Sequence, residues 1–153
     1  MAFSLFLSNV CDSISAISIS GVTVKDVDQI AHTWVSTPNV LYPNPNSEGF
    51  ITGFGMEFDS IMQGTNAPIT VNYTLNYRFL GTQIGDMANF SSAYAEVVSK
   101  VALIVNAIIS TPAPYSGRVQ MSLGSVSVGA KIDPAGNKYH GADIQLNIQE
   151  MQN

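Results

Sequence analysis

The longest regular pattern in the chain lies between Ile69 and Phe79. There Ile69, Val71, Tyr73, Leu75, Tyr77 and Phe79 alternate with Thr70, Asn72, Thr74, Asn76 and Arg78. A period of two predicts a long strand with one apolar face and one polar face. Ile144, Leu146 and Ile148 alternate in the same way with Gln145, Asn147 and Gln149 and predict the last strand. Before it, Val119, Met121 and Leu123 are followed by Val126 and Val128, so the parity changes at Gly124 and predicts a bulge. The segment Asp133–Lys138 reads as the turn between these two strands. Phe50, Thr52, Phe54, Met56 and Phe58 are expected on one face of a further strand, antiparallel to 69–79. Gly53 and Gly55 stand opposite them and mark a bulge or a close backbone approach. A short strand is expected from Val22, with Val24 alternating.

Two segments follow a helical period instead. Phe3, Phe6, Leu7, Val10, Ile14 and Ile17 recur at spacings of three and four, which predicts a helix over roughly 3–18 with Gly21 placed to end it. Phe90, Tyr94, Val97, Val98, Val101, Ile104, Val105 and Ile108 predict a second helix over about 89–110. Asp86 or Asn89 is available to cap it, and Pro112 and Pro114 stop it. From Ser36 to Ser47 the chain is punctuated by Pro38, Pro43 and Pro45, which fix φ and predict an extended loop. Trp34, Val40, Leu41 and Tyr42, in or beside that loop, are too apolar for a solvated linker. The expected order is α-β-(loop)-β-β-α-β-β. That is one α+β domain over 1–153, a mainly antiparallel sheet of four to five strands with two helices packed on it.

Composition changes the expected surface. Hydrophobic residues make up 46% of the chain and charged residues only 11%, against a usual charged share of roughly 25%. Ser, Asn, Thr and Gln must therefore cover most of the outside. Such a surface loses little desolvation energy when another subunit buries it, which favours an oligomer. The net charge is −5, and the six bases Lys25, Arg78, Lys100, Arg118, Lys131 and Lys138 are scattered. A surface that tracks nucleic-acid phosphates needs clustered bases, so none is expected. Cys11 is alone and falls in an apolar helical stripe, which predicts a buried structural thiol. The first ten residues lack the basic start of a signal peptide. No stretch is expected to reach the ~18–20 apolar residues of a membrane span, and folding is expected in a cytoplasm.

A search for chemistry yields little. His32 and His140 are far apart in sequence, and neither has a His or Cys partner at metal-ligand spacing. Gly124-Ser-Val-Ser-Val-Gly129 has one residue too many for a nucleophile elbow, and it precedes a strand pattern. Gly53-Phe-Gly55 lacks the third glycine of a dinucleotide fingerprint. Asp26 with Asp28, and Glu57 with Asp59, are pairs that read as solvated acidic faces. The expectation is a protein that is not an enzyme, with no catalytic residues, no cofactor and no metal.

A helix, a short strand, then Pro38-Asn-Val-Leu-Tyr-Pro43-Asn-Pro45, then Val71-Asn-Tyr-Thr-Leu-Asn-Tyr-Arg-Phe79 before a second long helix resembles the tail terminator (tail completion) proteins of long-tailed bacteriophages. The resemblance covers nearly the whole chain in architecture. The Asn-rich loop departs from the commoner form with acidic or aromatic-rich flanks. The resemblance implies a virion protein of the tail or neck, assembled in the host bacterial cytoplasm. It implies a ring, usually a hexamer, that caps the tail tube and meets the head–tail connector or adaptor. The tube protein and the connector are then its partners, DNA is only cargo through the lumen, and no membrane is involved. Loops 39–48 and 60–68 are expected at ring contacts or at the lumen, which singles out Val40, Leu41, Tyr42, Pro43, Asn44, Pro45, Gln63, Thr65 and Asn66. Two other readings stand beside it. One is a different neck or tail component, a head–tail adaptor or a tail-tube subunit. The other is a small-ligand domain with an aromatic pocket of Trp34, Tyr42, Phe54 and Tyr73.

Overall fold

A computed structural model of the chain describes residues 7–31, 33–44, 50–58, 69–84, 90–111 and 118–152. In chain order these form α1 (Leu7–Ser15), β1 (Thr23–Val24), a 3₁₀ turn (Val27–Gln29), β2 (Val40–Pro43), β3 (Ile51–Phe58), β4 (Ile69–Gln83), α2 (Phe90–Ser110), β5 (Val119–Ile132) and β6 (Lys138–Gln152). The expected α+β class holds. The strands make one six-stranded sheet in the order β1-β2-β4-β6-β5, with β3 also paired to β4. Only β1 and β2 run parallel; every other pairing is antiparallel.

The alternation of β4 and β6 sorts the two faces. Val71, Tyr73, Leu75, Tyr77 and Phe79 stand opposite Glu150, Ile148, Leu146, Ile144 and Ala142, and all are buried. Against this face pack Val10, Cys11 and Ile14 of α1 and Val97, Val101, Ile104 and Ile108 of α2, making one continuous core. Both helices thus lie on the same side. Glu150 occupies the next core-facing position after Ile148, is fully buried, and accepts the Tyr73 hydroxyl proton.

The proline-punctuated loop is corrected over its middle part, because Val40–Pro43 is a strand between β1 and β4. Pro43 is tolerated there for a geometric reason. Asn44 donates its N–H to the Asn76 carbonyl on the β4 side. Neighbouring residues of a strand turn their backbone groups to opposite sides. The Pro43 nitrogen therefore faces the β1 side, beyond the end of that two-residue strand, and no ladder bond is lost. This strand raises the count from the expected four to five to six.

The shared face expected for Phe50 to Phe58 is corrected at Thr52. Thr52 pairs with Thr74 but Gly55 pairs with Asn72, so β3 carries one extra residue. Gly53 sits there at φ 63, the left-handed conformation that favours glycine in such a bulge. The bulge flips the parity, so Ile51, Phe54 and Met56 share the helix side and Thr52 lies on the other. At Gly124 the expected bulge is present, between Leu123 and Val126.

The described part of the first helix ends at Ser15, earlier than expected; residues 3–6 lie outside the described residues, as do Asp86, Asn89, Pro112 and Pro114. Gly21 instead takes φ 72 in the turn closed by the Val22 N–H on the Ile19 carbonyl. One expectation is overturned by length and composition: the segment Ser92–Ser110 of α2 is long and apolar enough to cross a membrane. In the fold it lies on the sheet through the four buried residues named above.

A close backbone approach lies at the end of the β4–β6 pair. Gly81 is an extra residue in β4, between Leu80 and Thr82, and Gly141 faces Leu80. A Cβ on Gly141 would lie 2.1 Å from the Phe79 carbonyl oxygen, whereas one on Gly129 would meet nothing within 4 Å. Gly141→Ala should therefore cost about 1–3 kcal/mol, as overpacking does, and Gly129→Ala close to nothing. Urea unfolding followed by circular dichroism checks this, and equal midpoints for the two variants would contradict it.

Candidate functional site

Because both helices lie on one side, most of the other face is, among the described residues, left to the sheet's own side chains. The even positions of β4 and odd positions of β6 supply that face by the same alternation that builds the core. Asn72, Thr74, Asn147, Gln149, Gln120 and Ser122 line an open groove of about 620 Å³ across β4, β6 and β5. None of these six carries a charge. Their short polar groups bond laterally: Thr74 Oγ1 donates to Asn147 Oδ1 at 3.1 Å. Nearby, Asn76 Nδ2 donates to Thr52 Oγ1 at 3.2 Å and Ser125 Oγ to Gln145 Oε1 at 2.8 Å. Neighbouring strands are thus laced together through hydroxyl and amide groups, and the surface they present is neutral.

At one end this face is closed. Ile30 and Trp34, from the segment after the 3₁₀ turn, pack on Val40, Tyr42, Leu80 and Tyr139. The Trp34 and Tyr42 rings lie 5.0 Å apart. Leu80 is buried on this side and Phe79 on the helix side, which is why the β4 alternation gives way to continuous burial there. The cap is tied down by Asp133 in the β5–β6 turn. Its carboxylate accepts the Ser36 N–H at 3.0 Å and the Asn137 N–H at 2.7 Å, and Tyr139 donates its hydroxyl proton to the Ser36 carbonyl.

Between the cap and the groove, Asp143 holds two of the six bases: Arg78 Nε at 2.7 Å and Lys131 Nζ at 3.1 Å. Arg78 also donates to the Ile132 carbonyl at 3.0 Å. These two cations share one carboxylate and are held outside the groove lining.

The residues singled out from sequence fall in different places. Val40, Leu41 and Tyr42 are at most 1% exposed and Asn44 is 5% exposed, inside the chain's own sheet. Pro43 is likewise buried in β2. Pro45, Gln63, Thr65 and Asn66 lie outside the described residues, as does His32. The aromatic pocket does not form: Trp34 and Tyr42 belong to the cap, while Phe54 stacks on Tyr73 on the helix side, 6.2 Å away. His140 is buried, with Tyr94 of α2 5.3 Å from it. Burial pushes the Cys11 thiol up to about 11. Asp26 caps the 3₁₀ turn, accepting from the Val27 N–H at 2.7 Å. The Asp26 carboxyl beside Asp12 of α1 raises the Asp12 pKa, a meeting that sequence spacing does not reveal. Among the described residues no three His, Cys, Asp or Glu side chains are placed to hold a metal ion. Sequence reasoning misses the groove itself, although its signal, the uncharged polar rows of 70–76 and 145–149, is in plain view.

No protein-family model matches the chain, and no curated protein matches it.

The two buttressing aspartates set an acid limit on the fold. Burial acts to raise both, but it is outweighed by hydrogen bonds from Ser36 and Asn137 at Asp133 and by Arg78 and Lys131 at Asp143. Both carboxyls are held below their ordinary value. Such a group contributes stability that is complete above its unfolded pKa and lost as pH falls through its folded one. Exposed Asp12 has the opposite sign, and water screens it. The melting temperature should hold from neutral pH to about 5 and fall below about pH 4. Asp143→Asn should lower it at pH 7 and shrink the acid drop. Melting curves across pH check both, and a wild-type profile flat down to pH 3 would contradict the assignment.

Proposed function

We propose that the chain is a non-catalytic subunit of a bacteriophage tail, a terminator whose ring caps the tail tube and joins it to the head connector. The observation that supports this reading is the one-sided sheet. A chain that puts both helices on one face and lines a groove on the other with uncharged Asn, Gln, Thr and Ser has a wall suited to a conduit. DNA carries a dense line of phosphates, so clustered bases on a lumen wall would retain it. The groove has none, and the net charge of −5 disfavours adhesion further. The resemblance in element order and in the Val71–Phe79 strand points the same way. On this reading the tube protein and the connector are its partners, DNA is cargo, and the protein resides in the virion.

A tube subunit with the same sheet would continue into long polymers, whereas a terminator stops at rings. Sedimentation velocity should give a closed species near six times the 16.3 kDa of one chain. Negative-stain imaging should show annular particles that bind the end of purified tail tubes, and duplex DNA should not be retarded on a gel. Monomers at every concentration, with no attachment to tubes, would sink the proposal.

A further inference from the structure

Among the described residues the sheet ends in β5 on one side and in β3 and β1 on the other; β5 and β3 each carry a bulge, but few charges guard them. β5 offers a 14-residue outer edge with no proline and a single charge, Lys131. That charge is turned onto Asp143 at 3.1 Å. On the opposite side, β3 offers eight residues with no proline and one charge, Glu57. Long edges with so few charges invite pairing with another chain.

The backbone phase shows what each edge presents. Asn76 sends its N–H to the Phe50 carbonyl, so alternate β4 residues serve β3 and the others serve β6. Carried across the ladder registers, this leaves Val126, Val128 and Ala130 of β5 and Met56 of β3 with outward backbone groups. The side chains agree. Val126, Val128 and Ile132 on one edge, and Ile51, Phe54 and Met56 on the other, are all between 36% and 49% exposed. Both rows lie on the helix side of the sheet.

Direction agrees as well. β4 and β5 are each antiparallel to β6, so they run the same way, and β3 runs opposite to both. A sheet continued from β5 of one copy into β3 of the next would join them antiparallel, the ladder type used at nearly every step within the chain. The two apolar rows would then lie side by side, and the neutral face would run unbroken across the junction.

We infer that copies of this chain associate head to tail by adding β3 of one to β5 of the next. The inference rests on the ring reading above and names its interface: a heterologous contact, which closes into a ring or runs on as a filament.

The test uses two edge-blocking variants of the full chain. Val128→Pro removes only an outward N–H of β5 and leaves β3 free; Met56→Pro does the reverse. Sedimentation velocity should give assembled wild type, each variant alone as a monomer, and an equimolar mixture as a heterodimer of twice the monomer mass. Wild-type-sized assemblies from either variant overturn the strand pairing while leaving the ring reading intact. A dimer from Met56→Pro alone overturns it in favour of a two-fold β5–β5 contact. Two folded variants that fail to form the heterodimer overturn it too. Monomeric wild type overturns both readings together. If a proline variant loses the native circular-dichroism spectrum, Val128→Lys and Met56→Lys enter the same mixing scheme with the same outcomes.

Discussion

The register between β4 and β6 is the constraint on which the rest of the structure depends. It runs from Ile69 opposite Gln152 to Gln83 opposite Tyr139, broken only by the extra residue at Gly81. A slip of one residue would turn every core side chain to the polar face and every amide to the core. With one face fixed as apolar by Val71–Phe79 and Ile144–Ile148, both helices have the same place to bury their stripes. The one-sided layering is thus a consequence of a single ladder, and the open polar face is its by-product.

That ladder also explains why polar groups sit where they do. Glu150 falls on the core side because it continues the even positions of Ile144, Leu146 and Ile148. A buried carboxylate is costly unless it is hydrogen-bonded, and Tyr73, on the same face of the neighbouring strand, donates to it. At the other end, Arg78 continues the polar side of β4 and Asp143 stands opposite it in the register, so the pair closes over the sheet instead of reaching into solvent. Each is the meeting of a position that sequence parity assigns with a partner that only the fold brings near.

Much of the fold is legible in the order of the residues alone. Strict alternation over 69–79 and 144–149 specifies two strands and their faces, and the parity break at Gly124 specifies a bulge. Where local pattern misleads, the decisive contact lies elsewhere in the chain. A four-residue strand between prolines has no period to detect, and Pro43 is permitted only because its nitrogen faces past the end of β1. Simple alternation misassigns the face of Thr52 because a glycine bulge reverses parity, and nothing local says which side of Gly53 keeps the original phase. The cap of Ile30 and Trp34 rests on contacts with β2, β4 and β6 that span a large part of the chain, beyond any local pattern. The candidate groove is readable as two uncharged rows, but that the helices leave them uncovered is a tertiary fact.

The scarcity of charge ties the remaining features together. Protein edges and surfaces are normally kept apart from other molecules by lysine and glutamate. Here two of the six bases are held over the sheet by one aspartate, and the long outer strand has no other charge of its own. The same economy leaves the groove without cations to hold phosphates and leaves β5 and β3 with one charge each to oppose a second copy. Indifference to a polyanion and readiness to self-associate are usually separate requirements of a protein surface. In this chain both follow from filling the solvent-facing positions of one antiparallel sheet with neutral amides and hydroxyls.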